Sequence, residues 1–233
     1  MSGTLLDVTR TPSLLIPGTS LTEPELRSAT LDGELVPLGE GYLPVDAPLT
    51  PLARALSLAP LLVEPRILMS HRTAAWVWGW LETRPVMSTS VPVGARISSG
   101  RRRRLGTREV VITEGDVHRW GDLGVTTRVR TAIDLARHDE GDDITLVLAR
   151  GLRDHPALRE AVARRLNGRT RASHIRRARE RMAAAMSLSD ASAVADAVDV
   201  VDRVDAAHSV EHPVEVRRVA HLEDESTERE PVA

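Results

Sequence analysis

The chemistry open to this chain is carried by arginine. Arg101-Arg102-Arg103-Arg104 form an unbroken run, and the segment from Arg159 to Arg181 holds nine Arg against two Glu. Guanidinium groups this close together repel one another in water. Against a phosphodiester backbone they release its condensed counterions, so phosphate contact is the chemistry they fit. A solvated loop is the alternative account of the first run, and a solvated helix face of the second. Absences narrow the rest. All 31 basic residues are Arg, so there is no Lys for a Walker A loop, a Schiff base or a nuclease motif that ends in Lys. The chain has no Cys, hence no thiolate nucleophile, disulfide or Cys-type zinc site. His208-Ser209-Val210-Glu211-His212 matches a metalloprotease string. Pro213 follows it and no downstream helix supplies a third ligand, so the match reads as chance. No catalytic residue, metal site or cofactor is expected.

The elements that must hold these arginines belong to a chain of 233 residues, enough for one large domain or two small ones with a real core. Thr22-Glu23-Pro24-Glu25 is a capping box with Pro in the first turn, which predicts a helix running to Gly33. Leu35–Leu38 and Tyr42–Val45 flank Gly39-Glu40-Gly41, which predicts a short hairpin. A helix followed at once by a hairpin is the second half of a winged-helix module, and Arg27 is the one cation on the helix that would read DNA. The only candidate for the preceding positioning helix is the weak Leu5–Arg10 stretch. A degenerate winged helix kept as a packing platform is therefore the alternative.

Further along, residues 51–63 read as an apolar helix. The phrases Ser70-His71-Arg72-Thr73-Ala74-Ala75-Trp76-Val77-Trp78-Gly79 and Val125-Thr126-Thr127-Arg128-Val129-Arg130-Thr131-Ala132-Ile133-Asp134-Leu135-Ala136 each open a helix. Ser70 and Thr127 are good N-caps, and Arg130 and Asp134 are spaced for a same-face ion pair on an exposed helix. Trp76 and Trp80, one turn apart, read as a core stripe rather than a nucleic-acid stacking platform. His71 reads as a structural or surface group. Val86–Val93, Glu109–Thr113 and Gly121–Val125 are β-rich, which predicts a short antiparallel sheet, with the arginine run on a strand or hairpin. Asp142–Asp154, Pro156–Asn167 and Thr170–Met186 read as three helices. In the last, Ile175, Ala178, Met182 and Ala185 form a buried stripe, and Arg176 and Arg177 face away from it, with Arg169 and Arg181 towards the same side.

In this order, the Ser70–Gly79 and Val125–Ala136 phrases resemble the actinobacterial branch of the AbiEi-like antitoxin family, the regulator half of type IV toxin–antitoxin systems. The resemblance covers about residues 21–186 and is most specific from Ser70 to Ala136. Many relatives continue into a domain similar to a very-short-patch-repair endonuclease, which residues 187–233 replace here. The resemblance implies a non-enzymatic regulator. It would bind inverted repeats in its own promoter as double-stranded DNA and neutralise a nucleotidyltransferase-like toxin without a stable complex. A structural or protein-interaction member that has lost DNA binding is the alternative. The expected fold is α+β: a poorly ordered stretch over 1–20, a small winged-helix-like unit over 21–48, and a larger domain over 49–186 in which helices back a short antiparallel sheet. The candidate nucleic-acid-binding residues are Arg27, Arg101, Arg102, Arg103, Arg104, Arg176 and Arg177.

A net charge of −2 hides a split between halves of opposite sign. Residues 187–233 carry 12 acids against 4 Arg, whereas residues 1–186 carry 21 acids against 27 Arg. An acidic, largely disordered tail is expected over 187–233. Asp196, Asp199, Asp202 and Asp205 would lie against the Arg face of 169–181 and compete with nucleic acid, or else the tail is only a solubiliser. No apolar run reaches the ~20 residues of a membrane helix. Met1-Ser2-Gly3 opens no signal peptide, so a cytoplasmic protein without a membrane partner is expected.

Overall fold

The capping box is where the local code is clearest in the computed structural model, which describes residues 13–19, 21–168 and 174–191. The Glu25 carboxylate accepts from the Thr22 N–H and from the Thr22 hydroxyl, both at 2.7 Å, and so closes the first turn of α1 (Glu23–Leu31). Strands β1 (Leu35–Leu38) and β2 (Gly41–Pro44) follow as the expected antiparallel hairpin, and Leu15 bridges to Tyr42 on its outer side. At the tip, Gly39 has a φ of +61°, and a Cβ there would run into the Ser57 side chain. The hairpin therefore seats on the next helix only because that position lacks a side chain. The chain divides into two units, Met1–Ala193 and Val194–Ala233, and every described residue lies in the first. Asp196, Asp199, Asp202, Asp205 and the His208–His212 string lie outside the described residues.

Helix α2 (Pro51–Ser57) is capped by the Thr50 hydroxyl, which accepts from the Ala53 N–H at 3.1 Å, and it ends in a 3₁₀ turn over Ala59–Leu61. Next come β3 (Leu68–Met69), α3 (His71–Val77), β4 (Thr89–Pro92), α4 (Ser99–Arg104) and β5 (Thr107–Val110). A 3₁₀ turn over Glu114–Asp116 leads into β6 (Val117–Trp120) and β7 (Leu123–Thr126). Helices α5 (Arg128–His138), α6 (Ile144–Asp154), α7 (Ala157–Asn167) and α8 (175–191) complete the described part. The architecture is mixed α+β.

The sheet corrects the antiparallel expectation. Its strand order is β5-β4-β3-β7-β6, and two of its four pairings, β3 with β7 and β4 with β5, are parallel. Parallel neighbours need a crossover. Between β4 and β5 the arginine run supplies it, as helix α4 rather than the expected strand or hairpin. The Ser98 hydroxyl accepts from the Arg101 N–H, and Arg is a good helix former. Strand β3 was not expected, because two residues are too few to show an alternating pattern.

Packing follows the apolar stripes. Trp76 and Trp80 are both core residues, 2% and 1% exposed. They do not share a helix, since α3 stops at Val77 and the chain turns at Gly79, with φ +87°. In α8, Ala178, Met182 and Ala185 are buried as the spacing implied. Helix α8 continues past Met186 to residue 191, where Ser189 is buried and Asp190 pairs with Arg159 at 2.5 Å.

Candidate anion-binding cleft

Ser70 sits at the start of α3, but its hydroxyl does not cap the helix as expected. It accepts a hydrogen bond from the Ser90 hydroxyl at 2.8 Å and lies 3.2 Å from His71 Nδ1, because the β3–β4 pairing brings Ser90 alongside. His71 itself enters the helix with φ +49° and is only 8% exposed. It forms the floor of an open cleft of about 730 Å³. His138, at the end of α5, lies 6.5 Å away by ring centroids, and His174 lies 5.6 Å beyond His138. His174 has φ +58°, so the only two non-glycine residues with positive φ among the described residues both line this cleft. Such backbone costs on the order of 1–3 kcal/mol and clusters at functional sites.

The cleft walls are basic. Arg102 and Arg103 come from α4, Arg108 from β5, Arg137 from α5 and Arg177 from α8. Arg102 is tied to Glu109 at 2.6 Å. Arg103, Arg108 and Arg177 form no ion pair or side-chain hydrogen bond with any described residue. The far wall is clamped by Arg72, which donates to both Asp139 oxygens at 2.8 and 2.9 Å and also grips Asp143. Those carboxylates raise the Arg72 pKa, and the Arg72 guanidinium in turn lowers that of Asp143. Gly141 makes room for the clamp, since a Cβ there would meet Arg72 Nη2.

The structure therefore gathers Arg102, Arg103 and Arg177 from the expected set. Arg101 turns away to pair with Glu64, and Arg104 is exposed outside the cleft. Arg176 also lies outside it, with its side chain 91% exposed beside Glu180. Arg27 is on α1, paired with Glu23 at 3.0 Å. Arg181 does not join the free face, because its guanidinium donates to the Ala136 and Asp139 carbonyls at the end of α5. Arg169 lies outside the described residues. Sequence reasoning missed Arg108, Arg137, His138 and His174. Arg137 and His138 are neighbours on α5, but no spacing rule links them to Arg108 or His174, which come from separate parts of the chain.

Beneath the cleft, a hollow of about 420 Å³ shares His71 and His138 with it and reaches Asp116, Arg130 and Asp134. The Arg130–Asp134 pair, 2.7 Å apart, is not on an exposed helix face as expected; the two side chains are 10% and 5% exposed. Arg130 also donates to Asp116 at 3.1 Å, and Arg165 from α7 pairs with the same carboxylate. Burial raises the Asp116 pKa, but hydrogen bonds from Thr113 and the charges of Arg130 and Arg165 outweigh it and hold the group below its ordinary value. A second cluster that the sequence reading did not foresee surrounds Trp78. The Arg128 guanidinium lies 4.1 Å from the Trp78 ring centroid, with His118 and Trp120 against the same ring.

Burial pushes the His71 pKa down, as do the Arg108 and Arg130 charges, against the opposing pull of Asp134 and Asp139. Burial lowers His138 as well, helped by Arg137, His71 and His174 and opposed by Asp134. Both rings thus protonate less readily in the fold than in the unfolded chain, whose His takes up its proton near pH 6.5. The unfolded state then binds more protons as pH falls through that range, so folding stability must fall with it. Thermal unfolding at pH 7.5 and pH 5.5 should show a lower midpoint at the acid value. The gap should narrow in His71→Asn, since Asn tolerates positive φ. An equal gap in the variant would remove His71 from this account.

Compared with protein-family models, with curated proteins and with solved structures, the chain matches none. Among the described residues no group of three or more His, Cys, Asp or Glu is placed to hold a metal ion. No helix there is long and apolar enough to cross a membrane.

Proposed function

We propose that this chain is a non-enzymatic regulator that binds double-stranded DNA, an antitoxin-type autorepressor of the kind its Ser70–Ala136 phrases resemble, acting in the cytoplasm where its promoter lies. The observation that carries the reading is that α4 and α8 line one cleft. Their arginines are more than 70 positions apart in the chain, yet Arg103 and Arg177 line one cleft, with Arg104 and Arg176 exposed on the same two helices. A basic surface built from two helices suits a phosphate backbone, which positions a protein without reading much sequence. The α1–β1–β2 unit supports a winged-helix-like reading, with a recognition helix poor in free cations. Glu23 occupies Arg27, so α4 and α8 carry most of the affinity in this proposal.

One observation favours the alternative, a protein-interaction role. Leu31, Val36 and Val45 of the N-terminal unit are 89%, 42% and 65% exposed, which is an apolar surface fit for a protein partner. Titration of the protein with promoter DNA across about 50–200 mM salt separates the two readings. DNA binding predicts a steep salt slope. It also predicts that replacing Arg103, Arg104, Arg176 and Arg177 by Ser flattens the slope by about 0.9 for each phosphate no longer neutralised, on random and promoter DNA alike. Affinity unchanged at low salt would overturn the assignment. A nucleotidyltransferase-like reading frame beside the gene would support the antitoxin role.

A further inference from the structure

We propose that the cleft is a discrete binding site for a compact phosphate dianion, a phosphomonoester or pyrophosphate group, held by Arg103, Arg108 and Arg177 above His71 and His138. This goes beyond DNA binding, because it assigns the recessed cavity a ligand of its own.

Three observations carry it. The first is the division of labour among arginines. Arg72, Arg101, Arg102, Arg130 and Arg165 each have a carboxylate partner. Arg103, Arg108 and Arg177 reach the same cavity from three elements and have none among the described residues. Of the two carboxylates that also line the cavity, Asp139 is held by Arg72, so Glu140 alone stands against these three arginines and a dianion is the ligand that balances them. The second is shape. A cavity of about 730 Å³ is the size of a small-molecule site. Met87 is the one apolar side chain among its described lining residues, so the charged group is what the cavity recognises, not a nucleobase or an acyl chain. The third is the positive-φ backbone of His71 and His174, found at this cavity and at no other non-glycine position among the described residues.

The histidines make the site proton-linked. Asp134 and Asp139 face His71 and favour its charged form, while Arg108 and Arg130 oppose it. Arg137, His71 and His174 oppose the charging of His138, and Asp134 favours it. Two negative charges arriving beside the rings tip both balances, so the rings take up protons on binding and affinity rises as pH falls from 8 towards 7, until protonation of the phosphate itself at about pH 6 opposes it.

The test is calorimetry of the full chain with pyrophosphate, in buffers of different ionisation enthalpy. Saturable binding with proton uptake near pH 7 is expected, with the uptake reduced in His138→Gln. Arg103→Ser and Arg177→Ser should each weaken binding at least ~10-fold, the loss of a charge-assisted hydrogen bond. Arg104→Ser and Arg176→Ser, outside the cleft, should leave it unchanged. No binding at millimolar pyrophosphate, or equal affinity in Arg103→Ser and Arg177→Ser, would overturn the proposal. Duplex binding without pyrophosphate binding sinks this inference alone, and pyrophosphate binding without duplex binding sinks the DNA reading alone. Competition by a 5′-phosphorylated oligonucleotide but not its 5′-hydroxyl twin would identify nucleic-acid ends as the source. Competition by neither would identify free phosphorylated small molecules, and equal competition by the two, which share only phosphodiesters, would overturn the assignment to a phosphomonoester or pyrophosphate group.

Discussion

Asp116→Ala should lower the free energy of unfolding by about 3–5 kcal/mol, the range for removing one partner of a buried charge network. Asp116 is 1% exposed and accepts from the Thr113 N–H at 3.1 Å and the Thr113 hydroxyl at 2.9 Å. The same carboxylate meets Arg130 from α5 and Arg165 from α7, so one side chain joins the β6 approach to two helices. Truncation leaves Arg130 with Asp134 and the Val111 carbonyl and takes from Arg165 the carboxylate it pairs with. A domain of this kind has only about 5–15 kcal/mol in total, so the variant should be visibly fragile in urea. Asp116→Asn should cost less, because it keeps the volume and the hydrogen bonds from Thr113. Since the folded carboxyl sits below its ordinary pKa, its contribution is complete above about pH 4 and is lost as pH falls through the folded value. The acid limb of the stability curve should therefore be flatter in both variants. A loss below about 1 kcal/mol in Asp116→Ala would show that the network is not stabilising.

Arg54→Ala should cost nearly as much, about 3–4 kcal/mol, for a different reason. Arg54 is 8% exposed and has no ion-pair partner among the described residues. Its Nη1 donates to the Trp76 and Leu81 carbonyls, both at 2.8 Å, and its guanidinium lies 5.2 Å from the Trp76 ring centroid. Trp76 belongs to the last turn of α3, where its carbonyl also accepts from the Gly79 N–H at 3.0 Å and a cation is favoured by the helix dipole. Burial lowers the Arg54 pKa, with Glu82 opposing, so the fold bears a desolvated cation whose hydrogen bonds tie the Leu81 carbonyl to the end of α3. Arg54→Met retains most of the stem and should recover less than about half of the loss, because the hydrogen bonds are the larger share. Full recovery in Arg54→Met, read from denaturant midpoints, would assign the effect to packing instead.

How much of this was legible in advance depends on the distance over which each interaction acts. The capping box at Thr22, the Gly-tipped hairpin, the Thr127 cap and the buried stripe of α8 are contacts within a few residues, and all were readable from residue type and spacing. The absence of Lys and Cys likewise narrowed the chemistry before any fold was known. Ser70 looked like an equally good cap, yet its hydroxyl turned to Ser90, a partner that exists only once β3 and β4 pair. The arginine run was read as strand because β-rich segments flank it. The parallel pairing of β4 with β5 required a crossover there, and strand pairing is set by the sheet rather than by local propensity.

The cleft lies wholly on the long-range side of that division. The residues said that phosphate contact was the chemistry to look for, and placed Arg103 and Arg177 among the candidates. They did not say that α4 and α8 line one cleft, or that Arg101 would be neutralised by Glu64 and Arg181 drawn to the end of α5. Nor did they show that His71, His138 and His174 come together. A charge becomes part of a site only when folding has settled which of its neighbours is already paired and how much water remains around it. Both quantities belong to contacts between distant segments, and no local pattern carries them.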